Sequence, residues 1–231
     1  MTAYGQYCPI AQALELLGDR WTLLIIRDML TGTQHFNDFL HGLPGISRAL
    51  LAKRLRHLER VGIIEKHTKD SGRKTTEYHL TQSGQELDAI INSLLLWGIK
   101  WSFGDPRADQ LDPLLLMWWI HDRVNMDELP SQQVVVQFDF SGASRDTYWL
   151  VMSAAEVMLC LTDPGYETNV LVSADLATFF KLWLGQIEYE EALQERTITV
   201  DGMPRLVQSF PNWFAWSLAA PAVRAARQAA S

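Results

Sequence analysis

Residues 45–80 read GISRALLAKRLRHLERVGIIEKHTKDSGRKTTEYHL, and two different periodicities meet inside this stretch. From Arg48 to Val61, Leu51, Leu55 and Leu58 fall on one side of a helical wheel, while Ala49, Lys53, Arg56 and Arg60 fall on the other. Ser47 stands where a side-chain oxygen caps the free N–H groups of a first helical turn. Beyond Gly62 the period becomes that of a hairpin. Ile63 to Lys69 and Thr75 to Thr81 have strand length and β-branched content, and Asp70-Ser71-Gly72 supplies the turn. Lys69, Arg73 and Lys74 crowd its tip, an arrangement that repels itself unless an anion is present.

The charge of the chain is distributed to match. Between Ser47 and Thr75 there are nine basic residues against three acidic ones, although the whole chain carries a net charge of −7. Residues 1–101 are net +2 and residues 102–231 net −9. A net acidic protein still binds DNA when a few cations displace condensed counterions, and the acidic remainder suppresses nonspecific contact. A basic helix face alone is also the pattern of an ordinary solvated surface. Joined to a cationic hairpin it reads as a winged helix-turn-helix. In that reading Ser47, Arg48, Ala49, Lys53, Arg56 and Arg60 meet bases or phosphates from the helix, and Lys69, Arg73 and Lys74 grip phosphates from the wing.

Working outward, Ile10, Leu14 and Leu17 form a helical stripe that Gly18 can end in a left-handed conformation, and Asp19 is placed to cap a helix over Trp21–Leu30. Phe36–Leu40 reads as a short helix, and Leu43-Pro44-Gly45 as the turn before the basic helix. Ser83–Trp101 reads as one long helix with Leu87, Ile90, Leu94, Trp97 and Trp101 spaced 3, 4, 3, 4. That seam, with Ile10 and Leu14, is the expected dimer contact.

A polar, proline-containing stretch over 103–113 is expected to be a linker between a domain of residues 1–102 and one of 114–231. The second half reads as a helix over Leu114–Asp127, strands over Gln133–Phe140, Thr147–Met152, Val157–Thr162 and Thr168–Val172, and a helix over Ala174–Leu184. A short helix over Glu190–Glu195, a fifth strand over Thr197–Val200 and an aromatic-rich helix over Pro204–Trp216 follow. The expected fold class is therefore α+β with two domains, the second a small, mostly antiparallel sheet covered by helices.

Several functions are expected to be absent. The six histidines lack metal-ligand spacing, and no nucleophile elbow, P-loop or dinucleotide fingerprint occurs, so no metal site, no cofactor and no enzymatic activity are expected. No cleavable leader and no apolar run long enough to span a bilayer are read, and the two cysteines, Cys8 and Cys160, suggest no disulfide framework; a cytoplasmic location without membrane attachment is the expectation.

The pieces Cys8-Pro9, LGDRWTLLIIRDML, HFNDF, LPGIS, LAKRLRHLERVGIIEK, TEYHLTQSGQEL and Leu96-Trp97-Gly98 resemble, in order and spacing over residues 8–98, the HxlR-type winged-helix regulators related to MarR. The resemblance implies a homodimer joined through the first and last helices of the domain, on a dyad-symmetric operator. The wing in that family often carries paired prolines before its arginine, where this chain has Asp70-Ser71-Gly72-Arg73-Lys74. Cys8 occupies the position of a cysteine that some members use as a thiol switch, which makes a redox-switched regulator one alternative.

The run DLATFFKLWLGQIEYEEALQERTITVDGMPRLVQSF resembles the later half of the sterol carrier protein 2 fold. That resemblance implies a pocket for an apolar or amphipathic effector, for which Trp118, Phe179, Trp183, Phe210, Trp213 and Phe214 are the candidate lining residues. Aromatic stripes at helical spacing also serve as plain core. The reading as a whole is a ligand-responsive transcriptional regulator, with a hydrophobic-ligand carrier whose winged domain serves dimerisation as a further alternative.

Overall fold

The computed structural model describes residues 4–70 and 74–230, with the backbone alone for Lys69, Asp70, Lys74 and Ala230. Contacts divide the chain into two compact units, Met1–Leu96 and Trp97–Ser231.

In the first unit the order is α1 (Pro9–Leu17), α2 (Thr22–Leu30), α3 (Phe36–Gly42), α4 (Arg48–Arg60), β1 (Ile64–Asp70), β2 (Lys74–Leu80), α5 (Gln82–Gln85) and the start of α6 (Asp88–Trp101). Ser47 caps α4 as its sequence predicts, its Oγ accepting from the Leu50 N–H at 3.2 Å. The apolar side of α4 is fully interior: Leu51, Leu55 and Leu58 pack with Ile25, Ile26, Phe39 and Ile64 in one core. β1 and β2 pair antiparallel in the register Ile64↔Leu80 and Lys66↔Tyr78.

Three local expectations are corrected here. Gly18 ends α1 in right-handed conformation (φ −73°), and a Cβ there would lie 2.5 Å from the Leu14 carbonyl oxygen, so close approach rather than left-handed geometry calls for glycine. Asp19 does not cap α2 through its side chain; Trp21 takes the cap position with φ 80°, and Asp19 pairs with Arg54. The long helix is broken between Gln85 and Asp88. Thr81 caps the short α5 through Gly84, whose virtual Cβ would sit 2.3 Å from the Ile63 carbonyl oxygen. Leu87, one of the expected dimer residues, is half-buried and packs against the core.

The second unit continues with α7 (Pro113–His121), β3 (Val134–Ser141), β4 (Thr147–Met152), β5 (Val157–Cys160), β6 (Val170–Asp175), α8 (Leu176–Trp183), α9 (Tyr189–Gln194), β7 (Ile198–Gly202), α10 (Pro204–Ser209) and α11 (Ala220–Ala230). The sheet order is β5-β4-β3-β6-β7, with β3 and β6 parallel and the other neighbours antiparallel. Alternate residues such as Val136, Phe138, Leu150, Val170 and Val172 put one face of this sheet into the core with α7 and α8. Asp175 caps α8, accepting from the Thr178 N–H at 3.0 Å.

Residues 103–113 are part of this unit rather than a free linker. Lys181 Nζ lies 2.7 Å from Asp105, Gln186 Nε2 donates to the Gly104 carbonyl at 3.1 Å, and Leu111 packs on the core. α7 stops at His121, short of the expected Asp127, and Val124 then forms a β-bridge with Phe214. The expected helix over Pro204–Trp216 ends at Ser209 and continues as a 3-10 turn over Phe210–Trp213, where Pro211 has no N–H to extend the α-helical ladder. α11 was not anticipated; Arg224 and Arg227 tie it to Glu188 and Glu191.

Two buried phenols give this unit an alkaline signature. Burial is the main cause pushing the hydroxyls of Tyr148 and Tyr189 up to about 12, with Asp146 and Glu190, respectively, adding to it. A folded-state value above the unfolded 10.0 means stability is full below pH 10 and is lost as pH rises through about 12. The Tyr189 hydroxyl is buried with no hydrogen-bond partner among the described residues. Tyr189→Phe is therefore expected to leave neutral-pH stability unchanged or raised by up to about 1 kcal/mol, and to flatten the alkaline loss in urea titrations; a loss at neutral pH above about 1 kcal/mol would contradict this account.

Candidate nucleic-acid interface

The outer face of α4 is solvent-exposed at every position the sequence nominates: Ser47, Arg48, Ala49, Lys53, Arg56 and Arg60. Their supports differ. Arg48 Nη2 donates to Asn37 Oδ1 at 3.1 Å while its guanidinium lies 5.3 Å from the Phe36 ring centroid, so α3 orients it. Arg60 donates to His57 Nδ1 at 3.0 Å, and His57 Nε2 faces the Leu16 carbonyl at 3.3 Å. The two partners together select the tautomer with the proton on Nε2. Lys53 and Arg56 project with no ion-pair partner among the described residues. Arg56 also opposes the upward shift of the Tyr78 hydroxyl on β2, which burial causes first and the Glu59 carboxylate second. The centre of the helix face thus lies within electrostatic reach of the wing's root.

The wing's own cations are outside this description: Arg73, with Ser71 and Gly72, is not among the described residues, nor are the side chains of Lys69 and Lys74. Lower on the hairpin, one face carries Glu65 with His67 at 3.1 Å and Glu77 with His79 at 3.2 Å, the two imidazoles 4.8 Å apart between centroids. Sequence reading did not single out these acid–imidazole pairs; the alternation E-x-H on both strands was their signal.

Sequence reasoning also missed how α4 is held. Arg54 points away from the exposed face, with a side chain only 12% accessible, paired to the Asp19 carboxylate and donating from Nε to the Arg20 carbonyl at 3.2 Å. With His57 it ties α4 to the end of α1 and the turn after it. Arg54→Gln should destabilise the protein by about 1–3 kcal/mol, because the Asp19 carboxylate loses a half-buried partner. Denaturant unfolding of Arg54→Gln, Asp19→Asn and the double variant checks this. Additive losses would show that the pair is not coupled.

The expected dimer residues Ile10, Leu14, Ile90, Leu94, Trp97 and Trp101 are all exposed, between 45% and 72%. α6 buries none of its fourteen residues. Cys8 is a free, half-buried thiol at the N-terminal boundary of α1.

Five of the six aromatic residues expected to line an effector pocket lie in the buried core of the second unit. Phe179, Trp183, Phe210, Trp213 and Phe214 are each no more than 5% exposed, and Phe210 meets Trp213 and Phe214 edge-on at 5.8 and 5.2 Å. Trp118 is half-buried, edge-on to His121 at 5.1 Å. These rings pack at close-packed distances, and the Trp213 Nε1–H is buried with no hydrogen-bond partner among the described residues. Among the described residues no His, Cys, Asp or Glu cluster is placed to hold a metal ion, and no helix is long and apolar enough to cross a membrane.

The profile of the HxlR-like helix-turn-helix family matches residues 16–105, the span that includes this interface. The chain is 42% identical over 89 residues to an uncharacterized HTH-type transcriptional regulator of Mycobacterium bovis, Mb3122, covering 38% of this chain and 56% of that protein. The match thus spans little more than half the relative's length. It is 31% identical over 98 residues to the uncharacterized HTH-type transcriptional regulator YvaP of Bacillus subtilis, 42% of this chain and 91% of that one. To the HTH-type transcriptional regulator YodB of the same organism it is 34% identical over 91 residues, 39% of this chain and 81% of the relative. Near-complete coverage of the shorter relatives by a segment that folds as a capped basic helix and hairpin leads to one conclusion: through its first unit, this chain belongs to the HxlR-like helix-turn-helix family.

Proposed function

We propose that the protein is a transcriptional regulator that binds a dyad-symmetric DNA operator as a homodimer, with α4 in the major groove and the wing on the flanking phosphates. The observation that carries this reading is the exposed, partner-poor face of α4, centred on Lys53 and Arg56 and braced from behind by Arg54. The uncovered apolar faces of α1 and α6 support the homodimer: four side chains on one side of α6, Ile90, Leu94, Trp97 and Trp101, are 45–65% exposed. Rows of that size are costly to leave in water. Selection from a random duplex pool is expected to return a dyad-symmetric sequence with half-site centres about 10 bp, or a multiple of it, apart. Recovery of no sequence, or of an asymmetric one, would count against the dimeric regulator and favour the carrier reading.

The second unit is assigned the role of effector module, responding to an apolar or amphipathic molecule; its α+β architecture, a five-stranded sheet packed with helices, is compatible with the sterol-carrier resemblance. An effector acts by binding one arrangement of the dimer better than another. A thiol-switched variant of the same reading rests on Cys8 at the boundary of α1, the helix that carries Ile10 and Leu14. It requires that oxidant change DNA affinity in the wild type and not in Cys8→Ser.

A further inference from the structure

We infer that the second unit binds its effector in the groove beside the end of α6, and that the effector is a small amphipathic carboxylate; this rests on the effector role proposed above. The groove has a volume of about 360 Å³, at the small end of the ~300–1,000 Å³ range of small-molecule sites. Its floor is apolar: Ile99, Phe103, Ile187, Val223 and Ala226. Its polar lining is Asp105, Lys181, Gln186 and Arg227. Lys181 is paired at 2.7 Å with Asp105, whose side chain is 85% exposed, and Arg227 is paired at 2.9 Å with the partly exposed Glu191.

Such solvent-facing pairs are individually weak, so an incoming carboxylate exchanges for Asp105 or Glu191 at little cost. It keeps both cations satisfied while its apolar body covers the floor, a combination that neither a neutral apolar molecule nor a cation achieves. Ile99 lies on α6 two residues from both Trp97 and Trp101, about 200° around the helix from each. A bound molecule therefore bears on the side of α6 opposite the exposed row that the dimer reading uses.

The test is calorimetric titration of the full chain with phenylbutyrate and its uncharged isostere phenylbutyramide, with DNA affinity measured in parallel. The carboxylate is expected to bind about tenfold more tightly than the amide, a difference of about 1.4 kcal/mol. Lys181→Gln should erase most of that preference without weakening the amide, and Ala226→Trp should block both by filling the floor. Absent binding of phenylbutyrate, equal affinity for acid and amide, or carboxylate binding unchanged in both variants overturns the groove. Ligand-dependent DNA binding that persists in both variants also overturns it while leaving the effector role intact. Binding that follows the expected pattern but leaves DNA affinity untouched supports the groove and removes the effector role instead.

Discussion

On the proposed homodimer reading, Leu94→Glu is expected to convert the protein from dimer to monomer and to lower affinity for the selected duplex by at least about 100-fold, the largest single effect foreseen. Leu94 is 47% exposed in the isolated chain, so the substitution leaves the protomer's own core untouched and should shift its unfolding midpoint little. In a two-fold interface each change occurs twice, and two carboxylates would be placed among the apolar side chains of Ile90, Trp97 and Trp101. Burying even one unpaired charge costs several kcal/mol, against about 1.5–3 kcal/mol gained from each large apolar side chain that the seam covers. Sedimentation equilibrium reads the dissociation directly, and anisotropy on the selected duplex reads the loss of affinity. A variant that stays dimeric would place the contact elsewhere and leave the uncovered face of α6 without an explanation.

The second large effect is at the centre of α4. Arg56→Ala should weaken binding to the preferred duplex by about 1–3 kcal/mol if the guanidinium reads a base edge, while binding to random DNA falls much less. Arg56 is exposed and anchored to no carboxylate among the described residues, so its removal leaves the fold as it is. Arg54, two residues earlier on the same helix, is the useful contrast: its loss should appear mainly as lost stability, because its charge is already spent on Asp19. Equal loss on specific and random duplexes for Arg56→Ala would show that the residue grips phosphate only.

What the sequence made legible and what it did not have a physical division. Periodicity and capping act over a few residues, and they placed α4, its Ser47 cap, its buried leucines and both wing strands within a residue or two. The same local rules located the five strands of the second sheet. They failed where a distant partner decides. Asp19 has the right spacing to cap α2, but Arg54, 35 residues away, claims its carboxylate. Gly84 looks like an ordinary helix residue until the fold brings the Ile63 carbonyl so close that no Cβ fits there. Whether Trp213 and its neighbours line a cavity or fill one is set by packing that no spacing records; they fill it, and the open groove is floored by residues as far apart as Ile99 and Val223. α11 lies outside every element read from the sequence, and its anchors, Glu188 at the cap of α9 and Glu191 within it, are more than thirty residues away in sequence.

The most direct test of the central claim is the salt dependence of binding to the DNA immediately upstream of the protein's own gene, set beside a scrambled duplex of the same composition. The account predicts selective binding whose logarithm falls linearly with the logarithm of salt concentration, by about 0.9 for each phosphate contact, with part of that slope lost when Lys53 is replaced by alanine. No salt-dependent binding to either duplex would contradict it.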